Sequence, residues 1–144
     1  MNMKLKIIAM YLLVLTPFST SATMEEAQQA FKDKNFKQAF ELMQPYAEQG
    51  NADAQTYLGI MYDNSKGVLK KEKKAVKWYR KAAKQGNVDA QLFLSYMYLD
   101  GTGVVKNLSK VSYWTKKAYE NPKASDTQEK LAKWLWDDFK LWKY

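Results

Sequence analysis

The chain has 144 residues, no histidine and no cysteine, 15% aromatic residues and a formal charge of +8. Without those two residue types there is no disulfide, thiol nucleophile, imidazole base or ordinary zinc site, so cohesion must come from packing and most hydrolytic mechanisms are excluded. Helix formers dominate and no stretch sustains strand-type alternation, which predicts an all-α fold.

Residues 1–22 read as a cleaved export signal. Lys4 and Lys6 precede the apolar run 7–15, which is too short to span a bilayer, and Pro17 and the small residues of 19–22 follow. Cleavage is expected after Ala22, releasing a soluble domain over 23–144 that is periplasmic where the source has two membranes. Loss of Lys4 and Lys6 leaves a charge of +6.

Residues 24–50 read as a short, divergent helix pair. Ala39, Leu42, Ala47, Gln49 and Gly50 stand 36 residues before Ala75, Trp78, Ala83, Gln85 and Gly86. The turn after Phe31 is short, and Pro45, which has no N–H for the helical ladder, predicts a bend.

Residues 51–86 and 87–122 state one pattern twice. Asn51-Ala-Asp-Ala-Gln returns as Asn87-Val-Asp-Ala-Gln, and the offset of 36 carries Tyr62 onto Tyr98, Gly67 onto Gly103 and Trp78 onto Trp114. A fixed offset over a whole unit marks a stacked repeat. Within each unit Ala54, Leu58, Met61 and Tyr62 follow helical spacing, the stretch 63–67 breaks it with turn residues, and a second helix carries Ala75, Trp78, Tyr79 and Ala82 inward. Trp78 and Trp114 are expected to be buried between the helices of their own units.

These residues resemble the Sel1-like repeat, a relative of the tetratricopeptide repeat. The first unit carries Ala54, Leu58, Gly59, Tyr62, Gly67, Val68, Lys74, Ala75, Trp78, Lys81, Ala82, Ala83 and Gly86 of that pattern. The second carries Ala90, Leu94, Tyr98, Gly101, Gly103, Val104, Trp114, Lys117 and Ala118. Ser65, Ser95 and Val111 depart from it, as do Lys71 and Asn107 where an acidic residue is common. The resemblance implies a short right-handed α-solenoid of helix-turn-helix repeats that binds proteins and has no activity of its own.

Pro122 ends the repeats. Ser125 and Gln128 form a plausible capping box, and Leu131, Trp134, Leu135 and Trp142 are expected on the inner face of a capping helix over 125–144. Trp136 falls outside that face.

No catalytic residue, cofactor or metal is expected. The carboxylate pairs Glu25-Glu26 and Asp137-Asp138 are sequence neighbours whose side chains diverge on a helix, and the glycines of 100–103 are explained by loop geometry. Lys70, Lys73, Lys74, Lys77, Arg80, Lys81 and Lys84 make a basic stripe, read as a solvated outer face or as a site for an acidic partner or anionic surface. No nucleic-acid motif is present, and no more than transient contact with a membrane surface is expected. In the resembling family the first helices line the concave face and carry ligand contacts. That implies partner-binding positions at Gln28 and Phe31, at Thr56, Ile60, Asp63 and Asn64, at Leu92, Tyr96, Leu99 and Asp100, and at Glu129, Lys133 and Trp136. Small secreted members of the family include immunity proteins against envelope-targeting toxins such as phospholipases. The resemblance implies that role, or an envelope-assembly or stress adaptor; a regulator or carboxylate-based hydrolase of cell-wall sugar is the rival class.

Overall fold

The structure, a computed structural model, describes residues 22–144; the export signal expected over 1–22 lies outside them except for Ala22. The described residues form α1 (Met24–Lys32), α2 (Phe36–Glu48), α3 (Ala52–Asp63), α4 (Glu72–Lys84), α5 (Val88–Asp100), α6 (Leu108–Tyr119), α7 (Asp126–Asp138) and a 3-10 turn (Leu141–Lys143). Each helix packs on the next in the chain, and α5 also touches α7. The first helices α1, α3, α5 and α7 therefore form one layer and α2, α4 and α6 the other, as in an α-solenoid.

Side-chain caps set the helix starts. Asn51 and Asn87 accept from the N–H of Ala54 and Ala90, at 2.8 and 2.9 Å. Ser125 and Gln128 form the expected capping box, and Thr23 and Glu26 form a second one that the sequence reading missed. Pro45 does not interrupt α2, which runs on to Glu48.

The stacking is written into the repeated Gln. Its Nε2 reaches the last-turn carbonyl of the preceding helix, Gln55 to Ala47 at 3.0 Å and Gln91 to Ala83 at 3.1 Å. Those carbonyls also accept from the N–H of Gly50 and Gly86, each at 3.1 Å, so the side-chain amide takes up their remaining lone pair. Asn87 then donates to Asp53 at 2.9 Å, and Gln128 to Asp89, so each of the two full repeats is tied to the element after it by one first-helix carboxylate.

Two close approaches explain the glycines. At Gly59 a Cβ would strike the buried Tyr79 ring; 36 residues on, the pair is Ser95 and Thr115, buried and hydrogen-bonded at 2.7 Å. Gly103 has φ +67° and lies against the Glu72 backbone, where a Cβ would come within 2.7 Å; Gly67 lies in the same way on Phe36. Each long loop thus rests on the start of the preceding unit's second helix.

Three apolar clusters make the core: α1 to α3 around Met43 and Leu58, α4 to α6 around Tyr79, Leu94 and Trp114, and the α5–α6–α7 junction around Leu92, Ala132 and Leu135. Trp114 is buried as expected. Trp78 is only half-buried; it packs back on the first cluster, with Lys81 Nζ 4.4 Å from its ring, and Tyr79 takes the buried place in its unit. The cap is rotated from the expected phase. Ala132, Leu135 and Leu141 are buried, whereas Leu131, Trp134 and Trp142 are exposed and Trp136 packs on the second cluster. Ala132 has the small side chain that lets α7 close on Ala118 of α6.

Candidate functional site

The first-helix layer presents the best-formed candidate surface. On α3 and its cap, Asp53 and Asn64 are exposed and Tyr57 and Ile60 half-buried; on α5, Asp89 and Asp100 are exposed and Phe93 and Tyr96 half-buried. Spacings of four, three and four put each set on one helical stripe, and the two stripes are 36 residues apart. Aromatic and aliphatic side chains sit mid-stripe with polar or acidic ones at the ends. Neither helix carries a lysine or arginine, whereas α4 and α6 together carry nine basic side chains against Glu72 alone. Charge is thus segregated between α3 and α5 on one side and α4 and α6 on the other.

Burial and neighbouring carboxylates raise the tyrosine hydroxyls above the usual phenol range: Tyr57 by burial and then Asp53 and Asp89, Tyr96 by burial and then Asp100. Both remain neutral donors at physiological pH. Burial also raises the Asp63 carboxyl, with Lys70 opposing and Glu72 adding. Phe31 of α1 extends the stripe, its ring edge-on to Tyr57 at 5.0 Å, and Lys66 Nζ lies 4.9 Å from that ring.

The positions expected from the family resemblance separate into two groups. Thr56 and Leu92 are 6% and 4% exposed and belong to the packing; Thr56 donates to the Ala52 carbonyl at 2.8 Å, and Leu92 is in the third cluster. They cannot line a free surface. Phe31, Ile60, Asp63, Tyr96 and Leu99 are half-buried, and Asn64 and Asp100 are exposed at the stripe ends. On the cap, Lys133 pairs with Asp137 at 2.7 Å. Lys133 and Trp136 line a groove between α7 and the end of α6, with Lys116, Tyr119 and Glu120 on its other wall. Tyr57, Asp53, Phe93 and Asp89 were missed. The signal for them was present: Asp53 and Asp89 recur at the repeat offset, and Tyr57 and Phe93 follow each by four residues.

A model of the Sel1 repeat matches three times, over residues 28–51, 52–87 and 88–122. The chain belongs to the Sel1 repeat family. The fold is similar to the crystal structure of a Sel1 repeat protein from Oxalobacter formigenes, with 36% identity and a TM-score of 0.64 over 67% of this chain and 39% of that one. It is also similar to the crystal structure of c5321, described as a protective antigen present in uropathogenic Escherichia coli strains displaying an SLR fold, with 26% identity and a TM-score of 0.63 over 83% of this chain and 31% of that one. The match thus spans well under half the length of either solved protein. No curated protein matches the sequence. Sel1 repeat proteins mediate protein–protein interaction, and their fold is typically a non-catalytic scaffold.

Proposed function

We propose that this Sel1 repeat protein is an exported, non-catalytic adaptor, periplasmic where the source has two membranes. Its first-helix stripe binds another protein through a contact surface that carries basic side chains. The observation that supports this is the duplicated stripe: Asp53–Tyr57–Ile60 and Asp89–Phe93–Tyr96 offer apolar anchors framed by carboxylates on two helices with no basic residue. Aromatic anchors ringed by polar groups suit the centre of an interface, and the acidic frame attracts and orients a basic partner. Among the roles open to such an adaptor, neutralising an envelope-targeting toxin such as a phospholipase fits this face if the toxin's contact surface is basic. The test is a comparison of wild type with the Tyr57→Ala/Tyr96→Ala variant as baits in envelope extract. The expected result is a partner captured by wild type in stoichiometric amount and lost with the variant, whose melt is retained. Equal capture by both baits overturns the assignment of this face. A toxin gene beside this one, with both products co-purifying, tests the specific role.

A further inference from the structure

The opposite feature of the fold is its loop edge, and the stripe does not account for it. Leu69 and Val105 occupy the same position in the two long loops, 36 residues apart, and are 80% and 86% exposed. Both loops are pinned by the same backbone bonds. Lys66 and Thr102 donate to Met61 and Met97, and Lys71 and Asn107 donate to Tyr62 and Tyr98, at 2.9 to 3.1 Å. Val68 and Val104 turn inward on the first and second clusters. The next residue in each loop is therefore held outward and has no core to fold back to. One isolated exposed aliphatic residue needs no explanation; the same one at the tip of both repeats does.

The carboxyl-terminal segment brings aromatics to that edge. Ser112, in the first turn and a half of α6, donates to the Leu141 carbonyl at 3.0 Å, and Leu141 is fully buried in the second cluster. Trp142 and Tyr144 then remain 56% and 57% exposed on a 3-10 turn that packs on α6 and α7. Along this edge, residues 33–37, 64–73, 101–110 and 138–144 contain ten lysines against Asp33, Glu72 and Asp138.

We propose that this edge docks on an anionic lipid surface, with Leu69, Val105 and Trp142 entering the headgroup layer and the lysines facing lipid phosphates. The chemistry is that of peripheral membrane contact. Aliphatic tips supply buried apolar area, Trp and Tyr rest at the water–lipid boundary, and basic side chains supply attraction to anionic headgroups. No helix among the described residues is long and apolar enough to cross a membrane, so the contact is peripheral. A lipid surface is favoured over one protein groove because the tips stand one repeat apart, and the hollow that Val105 borders with Lys71, Lys74, Gly103 and Val104 does not include Leu69. The first-helix stripe stays free for a protein partner, so the two assignments stand or fall separately.

Vesicle binding tests this, with wild type and variants prepared in one and the same form. Vesicles of phosphatidylcholine alone are compared with equal parts of phosphatidylcholine and phosphatidylglycerol bearing brominated acyl chains. Tryptophan quenching is the readout, because residues 1–22 contain no tryptophan. The expected result is quenching and co-sedimentation with the anionic vesicles, much reduced on phosphatidylcholine and weakened by salt. Leu69→Ser/Val105→Ser should weaken binding by at least about tenfold, from the loss of two aliphatic side chains that enter the headgroup layer, with an unchanged melt. Trp142→Ser should remove most of the quenching. Absent binding at low salt, or binding unchanged in the Leu69→Ser/Val105→Ser variant, overturns the proposal. So does a variant that keeps vesicle binding and loses a protein partner, which would make the edge a protein interface.

Discussion

Gly59 and Tyr79 should behave as one unit, and a double-mutant cycle measures it. A Cβ on Gly59 would lie 2.5 Å from Cδ1 and 2.9 Å from Cζ of Tyr79, and nearer still to Cε1. The ring is fully buried and has Phe93 5.1 Å away, so it has no free side to swing into. Overpacking of this kind costs about 1–3 kcal/mol. Gly59→Ser recovers about 0.5 kcal/mol of helix propensity, so its net cost should be about 0.5–2.5 kcal/mol. Tyr79→Thr alone empties most of a buried ring site and should cost about 3–4 kcal/mol. Gly59→Ser/Tyr79→Thr copies the Ser95–Thr115 pair, in which the two hydroxyls meet at 2.7 Å. It should be about 2 kcal/mol more stable than the sum of its single variants, within the range for contacting residues. Urea unfolding followed by helical circular dichroism gives all four stabilities. Additivity within about 0.5 kcal/mol would show that the two positions are not in contact, and that the stated helix approach is wrong.

The remaining expectations concern positions where the second repeat serves as a control for the first. Trp114→Ala should cost about 3–5 kcal/mol and half-buried Trp78→Ala about half as much, read as midpoints in the same assay. Ser65 has φ +53° where its repeat equivalent is Gly101; Ser65→Gly should stabilise by about 0.5 kcal/mol, the relief of left-handed strain less the added unfolded-state entropy, seen as a small rise in Tm. Gln91 Oε1 is buried with no protein partner, whereas Gln55 Oε1 accepts from Gln85 at 2.9 Å. Asn121 stands at the matching position but is one methylene shorter and donates to the Gly86 carbonyl instead. Asn121→Gln should gain about 1 kcal/mol if the longer amide reaches Gln91; a loss would mean that the Gly86 bond matters more. Burial raises the Asp63 carboxyl above its unfolded value, so the folded state binds the proton more readily. That group's effect on stability is therefore most favourable at low pH and is lost as pH rises through the raised value. Asp63→Asn should raise Tm at pH 7 and lose that advantage at pH values below the usual carboxylate range, as thermal melts across pH would show.

From the residues alone, the repeat length and the helix count per unit follow, and the cap of α3 narrows to Asn51 or Asp53, because a strict offset and local capping chemistry involve few distant partners. The loop glycines could be placed as well, although their reason lies elsewhere: Gly103 is needed for the Glu72 backbone, some thirty residues earlier. Helix phase was harder. Thr56 and Tyr57 differ by about 100° around α3, and both suit a half-polar face. Only the seating of α3 between α2 and α4 buries the threonine and leaves the tyrosine beside Phe31. Trp78 raises the same difficulty in another form. Every inner helix of a solenoid has two neighbours, and periodicity shows that a side chain is apolar without showing which neighbour receives it. The cap was least determined. The small Ala132 sets how closely α7 approaches Ala118, and that approach turns Leu131 and Trp134 out and Trp136 in. Residues that look like core by size become surface because one alanine fits where they do not.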